Sequence, residues 1–425
     1  MSGTGPLARR LGTGDAVIIG LGSMIGAGVF AAFGPAARAA GTGLMAGLVI
    51  AAVIAYCNAT ASAQLAAAYP TSGGTYVYGR ERLGGWWGFA AGWGFVVGKT
   101  ASCAAMALTF AAYAMPGAWW AQRLVAAGAV AGLTALNYHG VTKTAGLTRV
   151  LVAATLIALT VVVAGIWAGG GATIHHLGGW AAAGTGGVYG ILQSAGLLFF
   201  AFAGYARIAT MGEEVRDPAR TIPRAIPAAL GITVVVYLIV GVSALAGAGP
   251  AVLAHATAPL AAAVQAAGSG GIAPVVRIGG ALASLGALLA LIAGVGRTTL
   301  AMARNRDLPG WLAGVHPRFR VPHHAELALA VLVCAVVLTT DLRAVIGFSS
   351  FAVLIYYAIA NAAAFTQPPR DRRWPRTLNV LGAVGCALLV ATLPVPSVVA
   401  ALIMFAAGLA GRLGVLRLRG GSSQR

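Results

Sequence analysis

Gly22-Ser23-Met24-Ile25-Gly26-Ala27-Gly28-Val29-Phe30 sits inside an apolar run from Ala16 to about Pro35. A second glycine-interrupted stretch, Phe199-Phe200-Ala201-Phe202-Ala203-Gly204-Tyr205, sits inside a run from Val188 to Gly212. Glycine carries no Cβ, so a helix rich in it can leave helical geometry cheaply. Inside lipid, unwound backbone is tolerated only where protein or a water-filled cavity satisfies the freed N–H and C=O groups. Paired interruptions at corresponding points of two halves are the sequence mark of a carrier with its binding site at the membrane midplane. Small-residue packing between helices accounts for many of the 61 glycines. It does not account for clusters in the middle of two equivalent segments.

Composition agrees. Hydrophobic residues make up 59% of the 425, charged residues 9%, and the mean hydropathy is +0.85. A soluble domain of this length needs far more charge to cover its surface. At about 20 apolar residues per span, the pattern predicts twelve membrane helices, at 16–36, 43–68, 86–115, 121–138, 149–168, 188–212, 226–248, 274–303, 326–340, 343–366, 377–393 and 396–411. The first run is too long for the apolar core of a signal peptide.

The net charge of +19 reflects topology rather than nucleic-acid binding. With the N-terminus inside, Lys and Arg collect in the even-numbered connections and both tails, from Arg9 and Arg10 through Lys143 to Arg425, while the opposite face holds Arg38, Arg123 and Arg343. That asymmetry follows the positive-inside rule. It predicts a multi-pass protein of the cell (plasma) membrane with both termini cytoplasmic, in contact with lipid and not with nucleic acid. The four cysteines (Cys57, Cys103, Cys334 and Cys386) fall inside predicted spans and read as small buried apolar residues. His175-His176 and His323-His324 lack the further ligands a metal site needs, and no cofactor is expected.

An odd number of spans per repeat gives two repeats of opposite orientation. The expected organisation is a cytoplasmic tail (1–15), a first repeat of helices 1–5 (16–168), a second repeat of helices 6–10 (188–366), two further helices (377–411) and a basic tail (412–425). Each repeat opens on a glycine-broken helix.

The Gly22–Phe30 stretch, the turn Tyr69-Pro70-Thr71-Ser72-Gly73-Gly74-Thr75-Tyr76 and the segment from Phe199 to Ile226 resemble the amino acid–polyamine–organocation permeases. The last includes Gly212-Glu213-Glu214-Val215 and Asp217-Pro218-Ala219-Arg220-Thr221-Ile222-Pro223-Arg224-Ala225. Ala301-Met302-Ala303-Arg304-Asn305-Arg306-Asp307-Leu308-Pro309 is similar too, and the likeness runs from about Gly12 to Gln367. The resemblance implies an all-α, LeuT-like fold of five-plus-five inverted repeats with helices 1 and 6 broken. It also implies an amino acid as substrate, its carboxylate held by the backbone N–H groups of Gly26, Ala27 and Gly28. The carbonyls of Met24, Ala201 and Phe202 then match the acceptors of its ammonium, beside Gly204, and Phe200 matches an aromatic gate over the substrate. Leu291 on the eighth span is a candidate contact for the substrate side chain.

Lys99 departs from ordinary membrane composition. Near the middle of the third span it costs at least ~2.5–3.5 kcal/mol, and no acid lies nearby in sequence. Some relatives carry a lysine on the fifth span, where this chain has Thr155, so Lys99 is a candidate for its coupling role, with protons as the coupled ion. Donation to backbone carbonyls is the purely structural alternative. Arg207, just past the second break, lies seven residues before Glu214. These two and Glu213 form a candidate inner gate, with Arg80 and Arg82 as alternative partners of the glutamates.

Two cations near the cavity, and Ala206 where some basic-substrate exchangers carry a glutamate, favour neutral L-amino acids over cationic ones. The reading is therefore a secondary transporter working by alternating access. An exchanger or exporter of the same fold is the alternative, and a non-transporting membrane sensor or scaffold the alternative from another class. No nucleophile–base pair or metal cluster suggests an enzyme, and no ring of charge suggests a channel.

Overall fold

The computed structural model describes residues 11–71, 73–139, 145–178 and 186–422. Arg9, Arg10, Lys143, Arg425 and Ser72, named above, lie outside the described residues, as does most of the N-terminal tail. The helices, in order, are α1 (Thr13–Met24), α2 (Ala27–Ala31), α3 (Phe33–Ala40), α4 (Leu44–Ala68), α5 (Thr75–Leu83), α6 (Gly85–Ala114), α7 (Trp119–Tyr138), α8 (Ala145–Ala168), α9 (Gly187–Phe202), α10 (Ala206–Ala209), α11 (Pro218–His255), α12 (Pro259–Ala266), α13 (Ala273–Arg304), α14 (His323–Thr339), α15 (Leu342–Phe365), α16 (Arg376–Thr392) and α17 (Val395–Ser422). Nine helical stretches among the described residues are long and apolar enough to cross a membrane, and α14 and α16 are shorter apolar helices. The chain is an all-helical, multi-pass membrane protein. Among the described residues the one β-type pairing is an isolated parallel bridge, in which Leu11 exchanges backbone hydrogen bonds with Glu214 (3.2 Å) and Arg216 (2.8 Å).

The two glycine-rich segments behave differently. Between α1 and α2 the backbone leaves helical space at Ile25 (φ −81°, ψ 62°) and Gly26 (φ −117°, ψ −139°). The second segment only tightens. After Phe202 it forms a 3₁₀ turn over Ala203–Tyr205, with Ala203 at φ −65° and ψ 3°, and then continues as α10. The expectation that both would unwind through glycine flexibility is thus corrected for the second. What Gly204 supplies is space: a Cβ there would overlap the carbonyl of Ser23 and the amide of Met24. At Gly28 a Cβ would lie 2.7 Å from the Cα of Ala201. The two interruptions cross backbone to backbone, and a side chain at either point would separate them.

Around this crossing the long helices close the bundle. α6 packs between α13 and α15, and α4 lies against α9 and α11. Small residues let α6 approach so closely: a Cβ at Gly98 would meet that of Ala352 at 2.8 Å, and one at Gly280 would meet the Tyr113 ring at 2.6 Å. Buried polar side chains pair across helices. Asn361 donates to Asn58 (2.6 Å), and Asn58 to the Cys386 thiol (3.3 Å), which ties α4, α15 and α16. α17 packs on the outside, where Trp93 of α6 donates to the carbonyl of Met404 (3.1 Å). The seventh predicted span proves longer than 226–248. α11 starts at Pro218, where proline fits the first helical turn, and runs to His255 past a non-helical Gly249 (φ 68°).

Gly204→Ala should therefore lower stability by at least about 1–3 kcal/mol, the usual cost of overpacking. Gly231→Ala, at a site with nothing within 4 Å of the new Cβ, should be near neutral. Thermal unfolding of the two purified variants in detergent checks the contrast.

Candidate substrate cavity

A cavity of about 890 Å³ opens at the crossing of the two breaks. It runs from Met106 and Phe200 past Lys99 to Arg207, Glu214 and Arg304. Of the residues singled out from sequence, Met24, Gly28, Lys99, Phe200, Ala201, Gly204, Arg207, Glu214 and Leu291 line it. Gly26, Ala27, Phe202 and Glu213 are not among its lining residues. Phe202 is fully buried instead, its ring 5.0 Å from that of Tyr237. Gly26 turns its N–H back to the carbonyl of Met24 (2.8 Å). Ala27 and Gly28 occupy the first turn of α2, where backbone N–H groups have no helical partner.

Lys99 explains itself through the second break. Its side chain is 6% exposed, and Nζ donates to the carbonyl of Ala203 (3.2 Å) at the C-terminal end of α9. The hydroxyl of Tyr357 donates to the same carbonyl (3.2 Å). A helix C-terminus carries negative partial charge and carbonyls without helical partners, so it suits a cation. The interrupted helix thus takes the place of the acid that the sequence lacks. Lys99 is both bonded to the break and part of the cavity wall.

Tyr237, on α11, was missed by the sequence reading. Its hydroxyl lies 2.6 Å from the carbonyl of Met24 and 3.0 Å from that of Ala201, one from each break. Its single hydrogen serves one of them at a time. Both carbonyls had been assigned to an ammonium ligand, so here they already meet a donor. Nothing in the motif around residue 237 signals this, because the tyrosine sits in an ordinary apolar helix.

The two ends of the cavity differ. Beyond Met106, about four turns along α6 from Lys99, or ~21 Å, Tyr113 ties α6 to α2 and α12. It donates to the carbonyl of Phe30 (2.9 Å), accepts from the N–H of Leu260 (3.2 Å) and packs edge-on against Phe30. At the other end Arg207 pairs with Glu214 (3.6 Å) across the turn that follows α10, not along the continuous helix that the seven-residue spacing had suggested. Arg80 and Arg82 do not take the glutamates. Arg80 joins Asp307 (3.2 Å), and Arg82 bonds the carbonyl of Thr366. Asp307, 8% exposed, also receives Arg412 of α17 (2.7 Å) and the Tyr76 hydroxyl (2.8 Å). Among the described residues no three His, Cys, Asp or Glu side chains are grouped to hold a metal.

A bundle of apolar helices with two crossing interruptions and one central cavity defines a membrane permease. The chain belongs to the amino acid permease family, whose model matches residues 11–406. An uncharacterized transporter of Mycobacterium tuberculosis is 59% identical over 97% of this chain and 92% of its own length. The branched-chain amino acid permease BcaP of Bacillus subtilis is 27% identical over 84% of this chain and 81% of its own. The chloroplastic cationic amino acid transporter 6 of Arabidopsis thaliana is 28% identical over 91% of this chain and 71% of its own.

Tyr237→Phe would leave the two buried carbonyls with one donor fewer. It should destabilise the protein by about 1–3 kcal/mol while leaving it folded, read as a lowered midpoint of thermal unfolding without loss of a monodisperse elution peak.

Proposed function

We propose that this permease carries neutral L-amino acids across the cell membrane by alternating access, driven by protons. The observation that carries the reading is the cavity at the crossing of the breaks, walled by Lys99. In this reading twelve helices form two inverted repeats, 16–168 and 188–366, with 377–411 outside them. The basic face is cytoplasmic, and the cavity opens inward with its outer end closed at Tyr113.

The substrate carboxylate takes the backbone N–H groups at the start of α2, those of Ala27 and Gly28 together with that of Gly26 once it leaves the Met24 carbonyl, where the helix dipole favours an anion. The ammonium takes a carbonyl of Met24, Ala201 or Phe202 and competes with Tyr237 for the first two. Phe200 covers the ligand, and Leu291 meets its side chain. Lys99 discourages a second positive charge by repulsion, which supports a neutral substrate. Exchange of protons at Lys99 as the cavity faces each side supplies coupling, because a charge held inside the membrane is costly and release of the proton relieves that cost. Arg207, Glu213 and Glu214 gate the inner mouth. Transport in the reverse direction or by exchange uses the same site.

Purified protein in proteoliposomes, assayed with radiolabelled amino acids, tests this. An inward proton gradient should stimulate saturable uptake that unlabelled leucine competes and arginine does not. Uptake only into preloaded vesicles would mean exchange, and no uptake in any configuration would overturn the carrier reading. Lys99→Ala should abolish the stimulation by the gradient. Phe200→Ala forfeits up to ~1.5–3 kcal/mol of apolar contact and should raise the apparent KM about tenfold or more. Gly28→Leu is a poorer probe, because its Cβ meets Ala201 and its effect on packing would mask any effect on binding.

A further inference from the structure

The connection from α15 to α16 reads Gln367-Pro368-Pro369-Arg370-Asp371-Arg372-Arg373-Trp374-Pro375-Arg376. Its three prolines fix φ and hold it as a short 3₁₀ turn at Pro369–Asp371, with extended backbone at Arg372 (φ −88°, ψ 132°) and Pro375. Three arginines, two from this connection and Arg82 from α5, converge on Phe365, Thr366 and Gln367 at the end of α15. Arg82 bonds the hydroxyl of Thr366 (3.2 Å) and its carbonyl, and Arg372 donates to the carbonyl of Gln367 (3.1 Å). The Arg376 guanidinium lies over the Phe365 ring, 4.8 Å from its centre. Arg373 is anchored by its backbone N–H to the side chain of Gln64 on α4 (3.4 Å) and leaves its own side chain exposed.

The end of α15 accounts for only part of this charge. A helix C-terminus carries about half a unit of negative charge, and Arg82 and Arg372 already serve its carbonyls. The acids nearest in sequence do not neutralise the rest. Asp371 pairs with Arg370 (3.9 Å), and Glu81 makes no ion pair with the cluster among the described residues. Hydrogen-bonding capacity is unspent here as well. The Nε of Arg372 and both polar side-chain atoms of Gln367 are buried without a partner among the described residues. Guanidinium groups gathered on three consecutive residues repel one another, and an anion among them relieves the repulsion.

The surface that continues from the cluster is apolar. Arg376 opens α16, and Val380, Val384 and Leu388 follow at four-residue intervals on the same helix face. They are 49%, 61% and 45% exposed, so this stripe of a membrane helix meets lipid. We propose that Arg82, Arg372, Arg373 and Arg376 bind the phosphate of an anionic phospholipid, with an acyl chain along the 380–388 face of α16. The headgroup then joins α5 and α16 across the end of α15, the helix whose Tyr357 reaches the Ala203 carbonyl at the second break. The proposal concerns the lipid-facing side of the bundle and is independent of what the cavity carries.

Position selects a lipid over a free anion. The cluster lies where an apolar helix face gives way to a polar connection, the level at which basic groups meet anionic headgroups. Trp374, partly buried in the same connection, is a residue type enriched at that level. Arginine suits the headgroup because its planar fork binds phosphate oxygens in pairs. A soluble phosphate gains the same ion contacts and nothing from the apolar stripe.

The test follows bound lipid and needs no transport. The purified full chain in detergent is offered equal amounts of phosphatidylglycerol and phosphatidylcholine. Retained lipid is read by native mass spectrometry, and stability by thermal unfolding. The protein should retain phosphatidylglycerol in preference and unfold at a higher temperature in its presence. R372Q/R373Q/R376Q should weaken that retention about tenfold or more and lose the added stability. R224Q/R318Q/R320Q, which removes as many arginines at exposed positions elsewhere, should keep both. Equal retention of the two lipids by the parent chain, unchanged retention in R372Q/R373Q/R376Q, or equal loss in both triple variants would overturn the proposal. Equal stabilisation by soluble glycerol phosphate would overturn it too, because the cluster would then be a site for free anions. If R372Q/R373Q/R376Q does not fold, R376Q alone carries the test, since it gives up only the contact with Phe365, and it should still lose the preference several-fold. Absent uptake in the carrier assay would leave these readings unchanged.

Discussion

The closest backbone approach in the middle of the bundle is the constraint on which the rest depends. Ser23 and Met24 lie against Gly204, and Gly28 against Ala201, with no side chain between. Two helices can meet this way in lipid only if small residues mark the point of contact. Once they do, the polar ends of four half-helices converge on a small volume. The cavity, the buried lysine and the bridging tyrosine all answer the need to satisfy those ends without water from outside.

Three of the freed carbonyls find particular partners. The Ala203 carbonyl receives Lys99 and Tyr357, and the Met24 and Ala201 carbonyls share Tyr237. These donors come from α6, α15 and α11, so the site is held by helices far apart in sequence. A ligand ammonium would compete for those carbonyls with donors already present rather than fill bare positions. Such exchange of near-equal interactions suits a carrier, which must release what it binds.

Charge is arranged on a larger scale around the same centre. Beyond Met106 the packing relies on an aromatic contact and on hydrogen bonds made by Tyr113. The opposite end presents Arg207, Arg297 and Arg304, of which Arg207 pairs with Glu214, and nearby Arg412 pairs with Asp307. Ion pairs at a wet edge contribute little net stability, so they can form and separate as helices move. Asp307 extends the arrangement to α17, which packs on the outside of the bundle yet reaches the same face.

The sequence alone determined that the chain is helical, crosses the membrane many times and belongs with the permeases, because hydropathy and the glycine-rich motifs are local properties. The closeness of Arg207 and Glu214 in sequence pointed to their pairing, but a turn after α10 brings them together rather than two turns of one helix. The tertiary structure decided what composition cannot encode. Gly204 serves as a point of contact rather than a point of unwinding, a role fixed by the backbone it faces. Lys99 looked unpartnered because its partner is the end of another helix and carries no charged side chain. Tyr237 carries no motif, and its importance comes only from where α11 packs, against two freed carbonyls.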